Sequence, residues 1–307
     1  MGLLSVIIPA YNEEKNIDRT SKKISDLLVK NNINYEILFI NDGSKDETWV
    51  EILKACDRDE NIQGINFSRN FGKESAIFAG LESSRGDCCA VIDCDLQHPP
   101  EKLVEMYSLW KQGYEVVEGV KKSRGKEGNL YKGFSKLFYK IISSLSGIDM
   151  HNASDYKLLD RKAVNVLINI KEKHLFFRAL SSWIGFKSIQ IYYDVNDREI
   201  GETKWTPIKL IKYAISNITS FSTAPMQAVT IFGVLFLIFS IGLGIQSLYY
   251  NFIGKAKEGF TTVIMLLLII GSIIMISLGI IGYYISKIYE EIKGRPNYII
   301  SNIVNKK

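Results

Sequence analysis

Short apolar runs alternate with amphipathic stretches along the first part of the chain. Leu4 to Pro9, Tyr35 to Ile40, Ile62 to Phe67 and Cys88 to Asp93 are segments of strand length, rich in apolar residues, the pattern of strands buried on both faces. Between them Ile17, Ile24, Leu27 and Leu28 recur at helical spacing, Trp49, Val50, Ile52 and Leu53 mark a second helix, and Phe71 to Ser84 a third. Asn12 suits the N-cap of the first helix, and Ser44 with Glu47 has capping-box spacing before the second. Pro99-Pro100 suits the first turn of a helix reaching Gly113, followed by a strand from Tyr114 to Val120. Strand and helix alternating at this interval predict an α/β domain on a mostly parallel sheet.

The rhythm then loosens. A helix is expected over Asn129 to Leu145, with Leu130, Phe134, Leu137, Phe138, Ile141 and Leu145 on one broad face. A short strand, Ser154 to Leu159, helices over Arg161 to Ile170 and His174 to Ile184, and a last strand, Ile189 to Val195, follow. From Pro207 to Phe221, Ile208, Leu210, Ile211, Ala214, Ile215, Ile218 and Phe221 fall on one half of a helical wheel. Lys209, Lys212 and polar residues fall on the other, the pattern of a helix lying in a membrane interface.

Two apolar runs, Met226 to Tyr250 and Val263 to Ile285, each meet the ~20 residues needed to cross a bilayer. The expected organisation is therefore an α/β domain over 1–204, a juxtamembrane helix over 205–222, two transmembrane helices within 226–285 and a tail over 286–307. The apolar start, Met1 to Pro9, lacks a basic leader and reads as a strand rather than a signal peptide. Lys287, Lys293, Arg295, Lys306 and Lys307 follow the second run, so the domain and both termini are expected on the cytoplasmic side of a multi-pass membrane protein, with Asn251 to Gly259 outside.

The net charge of +5 over 307 residues fits an anionic membrane surface better than nucleic acid. Four cysteines, Cys56, Cys88, Cys89 and Cys94, have no metal-binding spacing and read as reduced, packed thiols. No Gly-x-Gly-x-x-Gly follows the first strand and no phosphate-binding loop ends in Gly-Lys-Ser/Thr, which argues against a dinucleotide-dependent dehydrogenase or a P-loop NTPase.

The chemistry gathers after the fourth strand. Asp93 and Asp95 stand two residues apart at a strand's C-terminal end, where open α/β sheets bind ligands. As hard oxygen ligands they suit Mg2+ or Mn2+ carrying a diphosphate, and Gln97 can add an oxygen or a water-mediated contact. At the first two strand ends, Tyr11 offers a face for a planar base, and Asp42 or Glu13 can accept from a base N–H or ribose hydroxyls.

Pro9-Ala10-Tyr11-Asn12-Glu13, Asn41-Asp42-Gly43-Ser44, Arg69-Asn70-Phe71-Gly72-Lys73 and the run Asp93 to Glu101 together resemble family 2 glycosyltransferases of GT-A fold. Asp155 to Arg161, Phe177-Arg178-Ala179-Leu180, Arg198 to Trp205, Ile218 to Ser222 and the paired apolar runs extend the likeness to membrane-anchored polyprenyl-phosphate glycosyltransferases. The bactoprenol branch is nearest, with its late Arg295-Pro296; dolichol-phosphate mannose synthases are related. Two positions depart from the common pattern: His98 stands where an acidic residue is frequent, and Cys94 where alanine is.

The resemblance implies inverting transfer of one sugar, glucose from UDP-glucose first, to undecaprenyl phosphate; UDP-N-acetylglucosamine and GDP-mannose are the alternative donors. It implies a nucleotide-sugar site at Pro9, Tyr11, Asn12, Glu13, Asp42, Ser44, Gly72, Lys73, Asp93 and Cys94, and a metal site at Asp93, Asp95 and Gln97. Asp95, Asp155 and Arg198 take catalytic roles, Asp155 as base or as positioning carboxylate. Arg124, Arg198 and Lys204 clamp the donor diphosphate or the acceptor phosphate. A homo-oligomer, a tetramer among relatives, is implied as well. The competing readings are a processive polysaccharide synthase, whose Gln-x-x-Arg-Trp motif is missing, a catalytically inactive membrane scaffold, and a lipid-flipping or channel protein, which charge-free spans disfavour.

Overall fold

Six of the seven residues of β1 (Leu4–Ala10) are buried, because the strand lies inside the sheet with helices on both faces. In this computed structural model, which describes residues 2–122, 154–173, 175–194, 224–254 and 259–305, the chain forms two units. One is Met1–Pro207 together with Arg295–Lys307, the other Ile208–Gly294.

The first unit runs β1, α1 (Ile17–Lys30), β2 (Tyr35–Asn41), α2 (Thr48–Arg58), β3 (Ile62–Phe67), α3 (Lys73–Ser83), β4 (Cys88–Val91), α4 (Lys102–Lys111) and β5 (Val116–Lys121). After the undescribed stretch come β6 (Lys157–Asp160), α5 (Arg161–Ile168), α6 (Phe177–Trp183), β7 (Ser188–Tyr193) and, at the far end of the chain, β8 (Ile300–Val304). The strand order is β7-β5-β6-β4-β1-β2-β3-β8. β1 pairs in parallel with β2 and β4, β2 with β3, and β5 with β7; β6 and β8 run antiparallel to their neighbours. The sheet is thus mixed and mostly parallel, as expected, with β4, β1, β2 and β3 running in one direction.

Alternation along β1 assigns its side chains to two cores. Leu4, Val6 and Ile8 join Ile17, Ile24 and Leu28 of α1 and Ile52 of α2 in one buried cluster. Ile7 faces the other way and packs under α3 at Gly80. Each such side chain contributes about 1.5–3 kcal/mol relative to exposure.

Two expected helix caps are corrected. Asn12 does not cap α1, which starts at Ile17; it adopts φ 55°, its N–H donates to Ser44 Oγ at 2.9 Å, and its Oδ1 accepts from the Lys45 N–H at 2.9 Å. Ser44 is therefore occupied in bracing the first loop against the second, and Asp46 accepts from the Thr48 N–H at the start of α2. Gly43 sits at φ 61° against the Arg69–Asn70 backbone, so this turn touches the loop after β3 as well. The tail carries an unexpected element: β8 lies on the β3 edge, Gly64 opposite Val304 and Phe67 opposite Ile300. The helix expected over 129–145 and the amphipathic helix over 207–221 lie outside the described residues.

The second unit contains α7 (Ala224–Phe252) and α8 (Phe260–Ile292). Val229–Gln246, 18 residues of mean hydropathy 2.2, and Ile269–Ile292, 24 residues of mean hydropathy 2.0, are long and apolar enough to cross a membrane. Both stretches are unburied, unlike the core helix of a soluble protein.

The close approach of α3 to the sheet yields a stability prediction. A methyl group at Gly80 would overlap Ile7 and stand 2.9 Å from Ile40 Cδ1. Gly80→Ala should therefore lose about 1–3 kcal/mol by overpacking, more than the ~1 kcal/mol that alanine gains in a helix. Denaturant unfolding measures the difference; an unchanged midpoint would refute the packing.

Candidate active site

Strand direction brings the acidic residues together. β4 ends at Val91 and β6 runs antiparallel beside it, with Val91 opposite Lys157. The residues just after β4 and just before β6 therefore meet at one sheet edge, although they are far apart in sequence. Asp93 and Asp155 are those residues, and Lys73 joins them. Its Nζ, from the first residue of α3, lies 2.6 Å from Asp93 Oδ1 and 2.9 Å from Asp155 Oδ2. Arg178, on α6, grips Asp155 from the other side, Nε to Oδ1 at 2.6 Å and Nη2 to Oδ2 at 2.8 Å. Asp155 is only 4% exposed.

Burial opposes ionisation of Asp155, but Lys73 and Arg178 outweigh it and hold the carboxyl well below the usual carboxylate range. The same contest leaves Asp93 lowered, burial working against Lys73 and His98. Glu74, next along α3, accepts the Phe177 N–H at 2.8 Å. Burial and the charge of Asp155 push it up to about 7. Helices α3 and α6 are thus clasped twice, through Lys73–Asp155–Arg178 and through Glu74–Phe177.

Asp42 builds the adjoining wall. Its carboxylate accepts from the N–H groups of Phe71 (2.6 Å) and Gly72 (3.0 Å) and from Asn70 Nδ2 (2.9 Å). Burial raises its carboxyl against those donors. Gly72 adopts φ 99° immediately before Lys73, so Asp42 fixes the turn that launches the lysine. The group expected to meet a ribose is engaged within the protein.

The remaining expected residues divide by surroundings. Tyr11 is 37% exposed at the same edge as Asp42. Pro9 is half-buried within β1. The Glu13 carboxylate accepts from Asn16 Nδ2 at 2.6 Å, and its N–H donates to Thr48 Oγ1. Cys94 is buried, and its carbonyl accepts from Thr20 Oγ1 at 2.8 Å, tying the acidic loop to α1. Asp95 Oδ1 accepts from the Gln97 N–H at 3.1 Å, closing a turn that places Leu96 at φ 56°. Arg124, Arg198 and Lys204 lie outside the described residues.

The sequence analysis left out Arg178 as a site residue and marked His98 only as standing where an acidic residue is frequent. His98 is buried, stacked on Tyr156 at 4.9 Å and edge-on to Tyr193 at 5.7 Å. Its Nδ1, 3.9 Å from Asp93 Oδ2, has no hydrogen-bond partner among the described residues. Burial lowers its pKa against the pull of Asp93. His98 is an aromatic floor beneath Asp93. A short segment, Phe177-Arg178-Ala179-Leu180, was the only signal for Arg178.

The donor set suits a hard divalent ion. Among the described residues no three His, Cys, Asp or Glu side chains converge as a metal cage. Asp93, Asp95 and the Gln97 amide offer oxygen donors of the kind that Mg2+ takes alongside phosphate oxygens and water. The ammonium against Asp93 shows that this carboxylate already faces a cation.

Residues 5–168 match the family model for glycosyl transferase family 2. The uncharacterized glycosyltransferase YkcC of Bacillus subtilis is 38% identical over 303 residues, covering 96% of this chain and 92% of the relative. The bactoprenol glucosyl transferase of Shigella phage SfV is 33% identical over 301 residues, covering 97% and 98%. Among solved structures, glucosyl-3-phosphoglycerate synthase of Mycobacterium tuberculosis aligns over 71% of this chain and 79% of its own, with 18% identity and a TM-score of 0.49. The family match and the near full-length relatives settle membership: the chain is a glycosyltransferase of family 2, with the GT-A fold.

Proposed function

We propose that the chain transfers one sugar from a nucleotide-sugar to a polyprenyl phosphate, with UDP-glucose as donor, undecaprenyl phosphate as acceptor and inversion at the anomeric carbon. The convergence of Lys73, Asp155 and Arg178 beside Asp93 carries this reading, because both substrates are phosphates and the site concentrates cations around a buried carboxylate. The name bactoprenol glucosyl transferase, borne by relatives aligned over nearly their whole length, supports the acceptor and the sugar.

The reaction is a single displacement. An acceptor phosphate oxygen forms a bond to the anomeric carbon from the face opposite the leaving group. The bond from that carbon to the diphosphate oxygen breaks, and its electron pair leaves with the nucleoside diphosphate. A phosphate monoester has a second pKa of ~6, so near pH 7 the nucleophile needs no proton removed. Asp155, pinned between two cations, is a weak base; it orients Lys73 and Arg178 toward the phosphates. Asp93, Asp95 and Gln97 would hold Mg2+ or Mn2+, whose charge favours departure of the diphosphate. Tyr11 offers its exposed ring to the base of the nucleotide. Arg124, Arg198 and Lys204 supply further cations to the diphosphate or the acceptor. The decisive experiment incubates the full chain with undecaprenyl phosphate, Mn2+ or Mg2+ and a panel of nucleotide-sugars, and weighs the lipid product. A hexose added from UDP-glucose is expected; no lipid product from any donor overturns the reading.

β8 supports a topology of two crossings. It sits in the sheet of the catalytic unit, so the chain that leaves that unit for α7 and α8 comes back to it. Two crossings meet this requirement and one does not. The proposal is a multi-pass protein of the cytoplasmic membrane with catalytic unit and both termini in the cytoplasm, and the α7–α8 connection outside.

Three outcomes are expected. Asp95→Asn should cut turnover roughly 100-fold or more, the scale of a lost transition-state charge contact, while folding stays intact, and EDTA should abolish the parent's activity; full activity in excess EDTA sinks the metal site. The acceptor's own ionisation should give kcat/KM an acidic limb near pH ~6. Asp155 is held ionised well below that pH, so Asp155→Asn should lower turnover yet keep the limb; its disappearance would make Asp155 the base. A reporter fused after Lys307 should score as cytoplasmic, and an external signal contradicts the two-crossing arrangement.

A further inference from the structure

The residues that follow α8 fasten onto three segments beside the candidate site: the end of β3, α3 and the approach to α6. The Ser68 N–H donates to the Ile299 carbonyl at 3.0 Å, starting the pairing of β8 with β3. The Tyr298 ring stacks on Phe67, centroids 5.0 Å apart and planes 11° apart. Phe67 in turn meets Phe71 edge-on at 5.8 Å, and Phe71 donates its N–H to Asp42 in the turn before Lys73. The Tyr298 hydroxyl donates to Glu82 near the end of α3. At the other end of that helix Ser75 Oγ, two residues beyond Lys73, donates to the Asn297 carbonyl at 3.2 Å. The Asn297 side chain reaches the segment before α6: its Nδ2 donates to the Glu172 carbonyl and its Oδ1 accepts from Lys173 Nζ, both at 3.4 Å. That segment leads into Phe177 and Arg178, which hold Glu74 and Asp155.

We infer that Asn297 and Tyr298 are positioning residues for glycosyl transfer, a strap that holds the front of α3 and the approach to α6 in the register at which Lys73 and Arg178 share Asp155. Neither touches substrate. Gly72, the N-cap of α3, has no side chain, so the helix start that carries Lys73 lacks a side-chain cap and relies on neighbours. The strap supplies them from the stretch of chain that emerges from the second long apolar helix. The far end of the same strand serves a different place. Asn305 Nδ2 donates to the carbonyls of Cys56 (2.9 Å) and Ile62 (3.1 Å), at the end of α2 and the start of β3, the opposite edge of the sheet from the catalytic cluster.

This difference between the two ends of β8 separates positioning from simple support. The test uses the full chain in detergent, with Asn297→Ala, Tyr298→Ala, Tyr298→Phe and Asn305→Ala. Its kinetic arm, with UDP-glucose and undecaprenyl phosphate, rests on the proposed reaction; its structural arm, amide hydrogen exchange, does not. Asn297→Ala and Tyr298→Ala should lower kcat by ~10- to 100-fold, the scale set by small misplacements of a catalytic group. The KM for donor should change less than kcat, the thermal midpoint should stay near the parent's, and exchange should rise over residues 69–76 and 171–178. Tyr298→Phe keeps the stack on Phe67 and should restore most of kcat. Asn305→Ala should lower the midpoint and leave kcat in place. Unchanged kcat in the two alanine variants, an equal kcat loss in Asn305→Ala, or exchange changes confined to residues 296–305 would each overturn the strap. Should the parent not turn over these substrates, the donor and acceptor assignment fails while the exchange pattern still decides the inference.

Discussion

One buried carboxylate organises the catalytic edge. Removing an ion such as Asp155 from water costs several kcal/mol, and only close, well-aligned partners offset it. Asp155 has them: a bidentate guanidinium on one side and an ammonium on the other. The arrangement adds little net stability, since apolar replacements of buried ion pairs are frequently as stable. Its consequence is geometric. Three elements distant in sequence, the start of α3, the entry to β6 and the first turn of α6, must hold one mutual position, or a charge is left buried and unpaired. In the proposed reaction, cations fixed in this way need no reorganisation when phosphate charge develops.

That carboxylate reaches the catalytic edge only because β6 is antiparallel. In a wholly parallel sheet, residues preceding a strand lie at the edge opposite the ligand site. Reversing one interior strand places residues preceding β6 beside residues following β4, so Asp155 and Asp93 share an ammonium. The reversed strand also presents Lys157 to the interior, where it pairs with Glu118 at 3.0 Å and donates to Ser181 Oγ at 2.8 Å. Burial lowers this lysine's pKa in spite of Glu118. The second buried ion pair joins β6 to β5 and α6, which seats the helix carrying Arg178.

What the sequence disclosed depended on how local each signal was. Apolar runs of strand length marked β1 to β4 because those strands are buried on both faces, and the carboxylates after β4 stood out for the same reason. Asn12 and Ser44 misled because a capping side chain and a cross-loop brace use the same chemistry, an oxygen accepting a backbone N–H; only the partner's address differs, and that is a tertiary fact. β8 passed unnoticed: Ile300–Val304 is five residues with a polar pair at its centre, and its side chains are only half-buried or exposed at a sheet edge. His98 reads as polar in sequence, yet two tyrosines enclose it. Arg178 has no spacing relation to Asp155, so nothing short of the fold, or a likeness to proteins with that fold, could pair them.

The placement of β8 bears on the problem such an enzyme must solve, bringing a water-soluble donor and a lipid phosphate to one point. A polyprenyl phosphate keeps its charged end at the membrane surface, because hydrocarbon cannot solvate it. A domain tethered by one flexible linker would have to order that linker in every productive encounter, at an entropic cost that grows with linker length. A chain that returns from its apolar hairpin as a strand of the catalytic sheet has only the few residues from Lys293 to Ile299 between α8 and the first ladder pair. Those residues include Asn297 and Tyr298, which touch Phe67 at the end of β3, Ser75 in the first turn of α3 and the segment that approaches Arg178. The short segment that joins the apolar helices to the sheet is therefore also the one that packs on β3, the first turn of α3 and the approach to α6.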